Sequence, residues 1–418
     1  MASPVYACGG ECGAYYTGSG NSVFHIWSSA GSSLWTFSTT TVRNGLRSMR
    51  YLPVAGSATI NGPSGTASTT RVWRDVIRFA TLPDADCLIS YGNYSGTYAG
   101  VGFKVSDSKL YSAVSIAGVI TFGATGVAVT TGVFYVCDVK TVGSLVTGTA
   151  DIQVGGAACA QATGAFAAAN ANGVDRGSGD VNITADIFFE DFLLSETSGD
   201  YPLGDGYVIS YIPNADGSHN VAGANDFERT ATGTDITNLT TDAYELVNDR
   251  PLPTTAVDWI NGIAPPNSTD YVEIAYEDSA ESAAPRSVEA IVVYHDASGA
   301  GTNNFSVTLR ESGGGTTADI MAAATRNVGA TISYARAHFA TVPGTSDAYT
   351  LTKFNALRSR FLVSDSSPDP YIDALMLEAE YNAVVAAIVT TEYGMHAIER
   401  GATAGIETGA RMGGWLEH

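Results

Sequence analysis

The sequence has few basic residues, no long apolar run and no basic segment followed by an apolar one at its start. Lysine and arginine total 21 against 42 aspartates and glutamates, which gives a formal net charge of −21. Because such a chain repels nucleic-acid phosphates, we expect no nucleic-acid partner. No window of about 18 apolar residues occurs, so the sequence predicts neither a membrane span nor an export signal.

Cysteine and histidine are also scarce and are scattered along the chain. An odd number of widely spaced cysteines does not outline a disulfide framework, so synthesis in a reducing cytoplasm fits best. The five cysteines are Cys8, Cys12, Cys87, Cys137 and Cys159. The six histidines never lie at the spacing of metal ligands, and no serine lies in a nucleophile elbow.

Glycine, threonine, serine, valine and tyrosine are abundant, and this composition favours strands joined by turns. At 418 residues the chain exceeds one ordinary hydrophobic core, so we expect two domains. Short candidate strands alternate with turn clusters at intervals of roughly ten residues, the pattern of a β-sandwich or barrel. The clearest are 70–80, 87–91, 100–105, 113–122, 132–139, 287–295, 304–311, 331–340, 354–362 and 372–381.

The segment 181–214 separates the two predicted bodies. Ile187 and Phe189 alternate with Phe188 and Glu190, which predicts a strand that is buried between layers. The same alternation puts Asp191 on the face opposite Glu190. Turn residues follow, and then a second apolar run takes the chain onward.

These features predict an all-β protein with two tandem jelly-roll sandwiches and a C-terminal extension. The predicted parts are a first sandwich at 1–213, a linker rich in Gly, Asn, Thr and Asp at 214–240, a second sandwich at 241–382, and a docking segment or arm at 383–418. In the last segment we expect Tyr393 and Trp415 to contact a neighbouring subunit.

Three carboxylates on one strand are the first candidates for catalysis, because glycoside hydrolases use two carboxylates that flank the bond. Asp186, Glu190 and Asp191 lack the alternate spacing of the jelly-roll glucanases. We interpret them as structural acids at a sheet edge or paired with Arg43 or Arg47. The sequence therefore predicts no catalytic residue and no enzyme.

Asn214 and Asp216, followed by Gly217, have the alternate oxygen ligands and glycine of a calcium loop. They lack the third acid and the distal glutamate, so a turn is the better interpretation. The sequence therefore predicts no cofactor, with calcium as the alternative.

Aromatic residues offer a different kind of site. Tyr94 and Tyr98 lie in the segment NYSGTYAG, which could form an exposed loop, and Tyr91 lies just before it. Aromatic rings stack on the apolar faces of sugars, so these tyrosines are candidate carbohydrate-binding residues, although core packing also explains them.

The arrangement around 182–213 resembles the laminin-G-like, or concanavalin-A-like, jelly rolls that are common in bacteriophage structural proteins. The matching segments in the first half are 11–13, 42–50, 189–194 and 199–206. The second half looks like the module that follows in such virion proteins, through 244–249, 269–272, 354–357 and 375–381.

The resemblance implies a non-enzymatic component of a phage particle, exposed on the capsid or tail at the virion surface. Its partners would be copies of itself, other virion proteins and host-surface glycans, with neither nucleic acid nor membrane. The alternative hypothesis is a carbohydrate-binding adhesin that acts through the aromatic loop.

Overall fold

The computed structural model describes residues 4–8, 28–29, 34–61, 68–179, 181–219, 227–229, 243–249, 259–262, 271–296, 302–313, 316–327, 331–363 and 371–382. The chain divides into two units, Met1–Ala383 and Val384–His418, and every described residue belongs to the first. The predicted all-β class with two sandwiches is confirmed. Among the described residues, no helix combines the length and apolar character that crossing a bilayer requires.

The first sandwich contains strands β1 to β17. In chain order they are Pro4–Cys8, Ser28–Ser29, Trp35–Ser38, Ser48–Tyr51, Thr59–Asn61, Thr70–Thr81, Cys87–Asn93, Thr97–Lys104, Lys109–Ile116, Val119–Phe122, Val127–Ala128, Phe134–Val142, Gly148–Val154, Ala157–Ala158, Ala162–Gly164, Val174–Gly177 and Asp186–Ser195. Sheet I has the order β14-β13-β12-β6-β17-β4-β3, with β1 beside β17 and β15 beside β13. Sheet II has the order β10-β9-β8-β7-β16-β5-β2, with β11 beside β9.

The core of the first sandwich lies between sheets I and II. Ile187 and Phe189 point into it, as their alternation predicts, and pack with the buried aromatic residues Trp35 and Phe103. Full burial of each such side chain stabilises the fold by roughly 1.5–3 kcal/mol.

One ion pair crosses this core. Arg176 of β16 donates to the carboxylate of Asp75 on β6, and both side chains are buried. Ser90 donates to the other oxygen of Asp75 at 2.5 Å, while the guanidinium of Arg176 lies 5.1 Å from the Phe189 ring centre. Because every charge here has a partner of opposite sign, the pair joins the two sheets without leaving a buried charge unpaired.

The second sandwich contains strands β18 to β28. They are Gly206–Tyr211, Pro213–Asp216, Phe227–Arg229, Ile260–Gly262, Tyr271–Tyr276, Ser287–Asp296, Thr302–Glu311, Thr317–Asn327, Thr331–Phe339, Leu357–Val363 and Tyr371–Asn382. Sheet III has the order β20-β21-β28-β23-β26, with β18 beside β28, and sheet IV has the order β19-β22-β27-β24-β25. Helix α1 spans Leu351–Asn355, and short 3-10 helices span Ser198–Asp200 and Ala243–Leu246.

The change from one sandwich to the next comes earlier than the predicted boundary at 213. β17 ends at Ser195, and β18 already pairs with β28 of the second sandwich from Gly206 onward. The predicted linker 214–240 contributes β20 and part of β19 to the second sandwich. Its glycine and asparagine content indicates turns, but strand pairing with β22 and β21 decides its structure.

Two other predicted segments have a different structure. The run 113–122 is not one strand, because positive φ angles at Ala117 and Gly118 make a tight turn between β9 and β10. The start of 354–362 lies in helix α1, which Thr350 caps by accepting a hydrogen bond from the Lys353 amide at 3.2 Å.

β17 contains a bulge at the point where the sequence predicts plain alternation. Glu190 pairs with Val76 and Leu193 pairs with Arg74, so two residues of β17 face one residue of β6. Asp191 has φ of 50°, a left-handed conformation in which aspartate is enriched. The prediction that Asp191 lies opposite Glu190 is therefore corrected, because both carboxylates now meet the segment that begins at Arg43.

The bulge acids bind Arg43 from two directions. The two Glu190 carboxylate oxygens each accept the Arg43 amide proton at 2.8 Å. The Arg43 guanidinium lies 3.1 Å from Asp191 and 2.5 Å from Asp205. Asp191 also accepts the Val208 amide at 2.8 Å. The predicted pairing with Arg43 is confirmed, and it fastens the start of β18 to the bulge.

Arg74 then joins the two sandwiches. Its side chain donates to the main-chain oxygen of Asp191 at 3.0 Å and lies 3.3 Å from the carboxylate of Glu380 on β28. Arg286 lies 3.3 Å from the same oxygen of Glu380, and Ser287 donates to the other at 3.2 Å. Apolar residues of β23 and β28 also belong to the buried cluster of the first sandwich. The buried cluster of the first sandwich therefore extends onto sheet III, while the second sandwich has a core cluster of its own.

We expect Arg43→Gln to lower the free energy of unfolding by about 3 kcal/mol, because it leaves a buried carboxylate without its partner. Arg50→Gln is the matched control. It breaks the pair of Arg50 with Asp186, whose side chains are 34% and 14% exposed, and should cost less than about 1 kcal/mol. Urea unfolding monitored by tryptophan fluorescence measures both, and equal losses would contradict the account.

The pH dependence of the stability lost in Arg43→Gln gives a second test. Burial raises the pKa of Asp191, and Arg43 and Arg74 oppose the rise. Removing Arg43 therefore raises this pKa further. A native pKa above the unfolded value means that stability increases as the pH falls through it. The stability difference between Arg43→Gln and the unchanged protein should narrow as the pH falls from 7 towards the unfolded-state carboxyl pKa of about 4, and a constant difference would exclude this explanation.

Candidate functional site

The outer face of sheet II carries a group of aromatic residues that we call the aromatic face. It is formed by Tyr91, Tyr98, Tyr111, Ile120 and Phe122. The strand register places them in rows, with Tyr98 opposite Ser115 and Ser115 opposite Ile120. Tyr98, Ile120 and Phe122 are partly exposed, whereas Tyr91 and Tyr111 are buried beneath them. The face therefore presents three apolar side chains that lie on a floor of packed tyrosines.

Gly102 lets the Phe122 ring lie close to the sheet. A Cβ atom at Gly102 would come within 2.6 Å of the Ala113 Cβ and 2.9 Å of the Phe122 ring. The Phe122 ring centre lies 5.5 Å from that of Tyr111, and the Tyr98 ring meets Tyr91 edge-on at 5.1 Å. These contacts fix the rings before any ligand arrives.

Polar groups lie at both ends of the aromatic face. At one end the Asn93 amide donates to Asp175 at 3.3 Å. At the other end the Lys104 ammonium lies 5.6 Å from the Tyr111 ring centre and 5.9 Å from that of Phe122. Tyr111 donates to Asp107 at 2.5 Å, and this bond raises the pKa of Tyr111 to about 12. The arrangement combines apolar surface with hydrogen-bonding groups at the rim.

The predicted sugar-binding tyrosines separate in the structure. Positive φ angles at Ser95 and Gly96 make the segment NYSGTYAG a tight hairpin turn rather than an open loop. Tyr94 points inward, is fully buried, packs on Phe166 and donates to Thr141 at 2.7 Å. Tyr91 is 1% exposed. Of the three predicted residues, Tyr98 alone keeps a partly exposed ring.

Sequence reasoning missed Lys104, Ile120 and Phe122. The two-residue alternation of β8 puts Tyr98, Gly100, Gly102 and Lys104 on one face, and this signal was present in the sequence. The apolar run 113–122 predicts a single strand, so the sequence does not predict the turn at Ala117 that folds Phe122 back onto its neighbouring strand.

The predicted calcium residues lie at the end of β19. Asn214 is exposed, and Asp216 accepts the Tyr244 amide at 3.0 Å. Gly217 donates to the main-chain oxygen of Glu273 at 2.7 Å, so the segment continues as a turn against β22. Within the described ranges, no three acid, histidine or cysteine side chains are grouped as metal ligands. Tyr393 and Trp415 lie outside the described residues.

A concavity of about 500 Å³ lies beside the bulge network. Its walls include Leu46 and Tyr211, together with the acids Glu277, Asp278 and Glu281. Glu281 accepts the Tyr207 hydroxyl at 2.5 Å, and Glu277 accepts the Ile212 amide at 3.3 Å. These bonds hold the acidic loop against the start of the second sandwich.

Comparisons with known proteins give only distant structural matches. No family model and no curated protein matches the sequence. Domain 4 of AbnA, a GH43 arabinanase from Geobacillus stearothermophilus, is 11% identical with a TM-score of 0.32, covering 46% of this chain and 92% of the domain.

Two further solved structures are similar at the same level. The tandem CBM22 domains of Paenibacillus barcinonensis Xyn10C are 11% identical with a TM-score of 0.25, covering 90% of this chain and 98% of that one. A sialidase is 10% identical with a TM-score of 0.31, and the match spans 42% of this chain and 17% of the sialidase. At these scores the matches carry no argument about activity.

Tyr94 makes the alkaline stability of the first sandwich testable. Burial raises the pKa of Tyr94 to about 12, against about 10 in an unfolded chain. Because Tyr94 ionises at a lower pH in the unfolded chain than in the native protein, ionisation favours unfolding between these two pKa values. The free energy of unfolding should therefore fall by about 2.7 kcal/mol from pH 10 to pH 12 through this group.

We expect Tyr94→Phe to remove that part of the pH dependence, because phenylalanine has no proton to lose. At pH 7 the variant should lose about 1 kcal/mol with its hydrogen bond to Thr141. Urea midpoints between pH 9 and pH 12 measure the slope, and an unchanged slope in Tyr94→Phe would show that Tyr94 ionises as freely in the native state.

Proposed function

We propose that this chain is a non-catalytic carbohydrate-binding protein and that the aromatic face is its binding surface. The observation that carries the proposal is the group Tyr98, Ile120 and Phe122, partly exposed over packed tyrosines with polar groups at both ends. Sugar rings have apolar faces and hydroxyl edges, so a flat apolar surface with a polar rim suits them.

The dimensions of the face suit an extended ligand. From Tyr98 to Lys104 the strand rises through six residues, or about 20 Å at 3.3 Å per residue. This length accommodates several consecutive sugar rings. Because the rings of Tyr98 and Phe122 are already packed by neighbours, little side-chain freedom would be lost on binding.

The placement of acids supports a binding role over a hydrolytic one. Asp175 of β16 lies opposite Tyr91 of β7, which in turn lies opposite Gly100 of β8. Asp107 follows Lys104 in the turn after β8. Asp107 contacts Tyr111 of β9, whereas Asp175 lies on β16, and three strand spacings of about 4.8 Å put these two strands about 14 Å apart. Paired glycosidase carboxylates lie roughly 5–9.5 Å apart. Elsewhere Glu190 already accepts main-chain amides.

We expect a glycan array probed with the purified protein to give saccharide binding that depends on this face. Tyr98→Ala and Phe122→Ala should each weaken the best hit about tenfold, a loss of about 1.4 kcal/mol in binding free energy. Phe134→Ala, at a partly exposed ring on sheet I, is the matched control and should bind normally. Binding that survives both face substitutions would place the site elsewhere, and turnover of the glycan would overturn the non-catalytic role.

The second candidate is a structural subunit of a phage particle, exposed on its head or tail and made in the bacterial cytoplasm. The observation that favours it is the buried junction of Arg74, Asp191 and Glu380, which makes one stiff body from two sandwiches. Such a body suits a repeated surface component in which symmetric copies multiply a weak affinity. Immunogold labelling of the source particles tests it, and an unlabelled particle surface would exclude it.

A further inference from the structure

Lys104 lies at one end of the aromatic face, over two of its rings. Its ammonium lies over the rings of Tyr111 and Phe122, at 5.6 Å and 5.9 Å from their centres. Lys104 has no ion pair with any residue that the structure describes, although the chain carries a net charge of −21. Both distances are within the range of a cation–π contact, and the residue is half-buried.

Two of the protein's lysines lie at this end of the face, together with Asp107. The sequence contains four lysines, and Lys104 and Lys109 are directly paired across β8 and β9. Lys109 lies 3.7 Å from Asp107, so its charge is largely compensated. Lys104 is the ammonium that remains for a ligand. The acid Asp175 lies at the other end, beside Asn93.

We propose that the aromatic face selects acidic saccharides, whose carboxylate or sulfate group pairs with Lys104 while neighbouring rings lie on Phe122 and Tyr98. This inference rests on the proposed carbohydrate-binding function and adds the class of ligand. An ion pair at a partly desolvated ammonium is stronger than one in bulk water.

The experiment compares hexagalacturonic acid with its fully methyl-esterified form, which has the same sugar rings without charge. Isothermal titration at low and physiological salt measures both. We expect the free acid to bind at least tenfold tighter than the ester, with a difference that shrinks as salt rises. A sulfated galactan oligosaccharide and its desulfated form, measured in parallel, distinguish a sulfate ligand from a carboxylate ligand.

Substitutions locate the charge recognition. Lys104→Gln should bring the affinity for the acid down to that for the ester, whereas Lys104→Arg should retain most of the preference. Lys140→Gln is the matched control. Lys140 lies on β12 of sheet I, away from the aromatic face, and its ammonium also lies over an aromatic ring, 5.9 Å from the centre of Tyr201. Its binding should be unchanged. Thermal unfolding of each variant verifies that the fold is intact.

The outcomes separate this inference from the proposed function. Equal binding of charged and neutral forms at the aromatic face, or a preference that Lys104→Gln leaves intact, overturns the acidic class and keeps the carbohydrate-binding role. Absence of binding by all four saccharides, together with an empty glycan array, overturns both.

Discussion

The structure depends on the bulge in β17, where Asp191 adopts a left-handed backbone conformation and its carboxylate meets Arg43. A non-glycine residue in this region costs on the order of 1–3 kcal/mol, so the surrounding contacts must compensate. They do so from both sandwiches. Arg43 connects the bulge to Asp205, which precedes β18. Arg74 binds the main-chain oxygen of Asp191 in the bulge and the carboxylate of Glu380 on β28. The strained residue Asp191 therefore lies at the junction whose contacts hold the two sandwiches together.

This junction gives the aromatic face a fixed support. The bulge lies in β17 of sheet I, whereas the aromatic face lies on sheet II. The ion pair of Asp75 with Arg176 in the core connects the two sheets. Each ring on the outer face is in turn held by a neighbour, as Phe122 is by Gly102 and Tyr111. A ligand would meet a surface that is already organised, so its binding free energy would not be spent on ordering side chains.

Alternation in the sequence was sufficient for the strands that run straight. Ile187 and Phe189 point into the core as expected, because each second residue of a strand shares a face. Alternation fails wherever one residue leaves the extended conformation. The bulge moves Asp191 to the side of Arg43, and the turn at Ala117 returns Phe122 to the sheet. The bulge has no glycine to mark it, and the turn has only Gly118 inside an apolar run.

Tertiary contacts also determine which of the three tyrosines are buried. Tyr91, Tyr94 and Tyr98 occur in one short segment of ordinary composition, yet a tight turn directs Tyr94 to Thr141 and leaves Tyr98 partly exposed. Likewise the segment after Asn214 has the composition of a linker, but pairing with β22 makes part of it a strand. Local sequence limits these residues to a few conformations, and contacts distant in sequence select among them.

Hydrogen exchange with and without an acidic oligosaccharide tests the central claim most directly, because it reports where the ligand protects the backbone. The account predicts slower exchange in peptides from 97–122, which hold Tyr98, Lys104 and Phe122, and unchanged exchange in the second sandwich. Protection confined to the cleft near Glu281, or to any region outside sheet II, would contradict it.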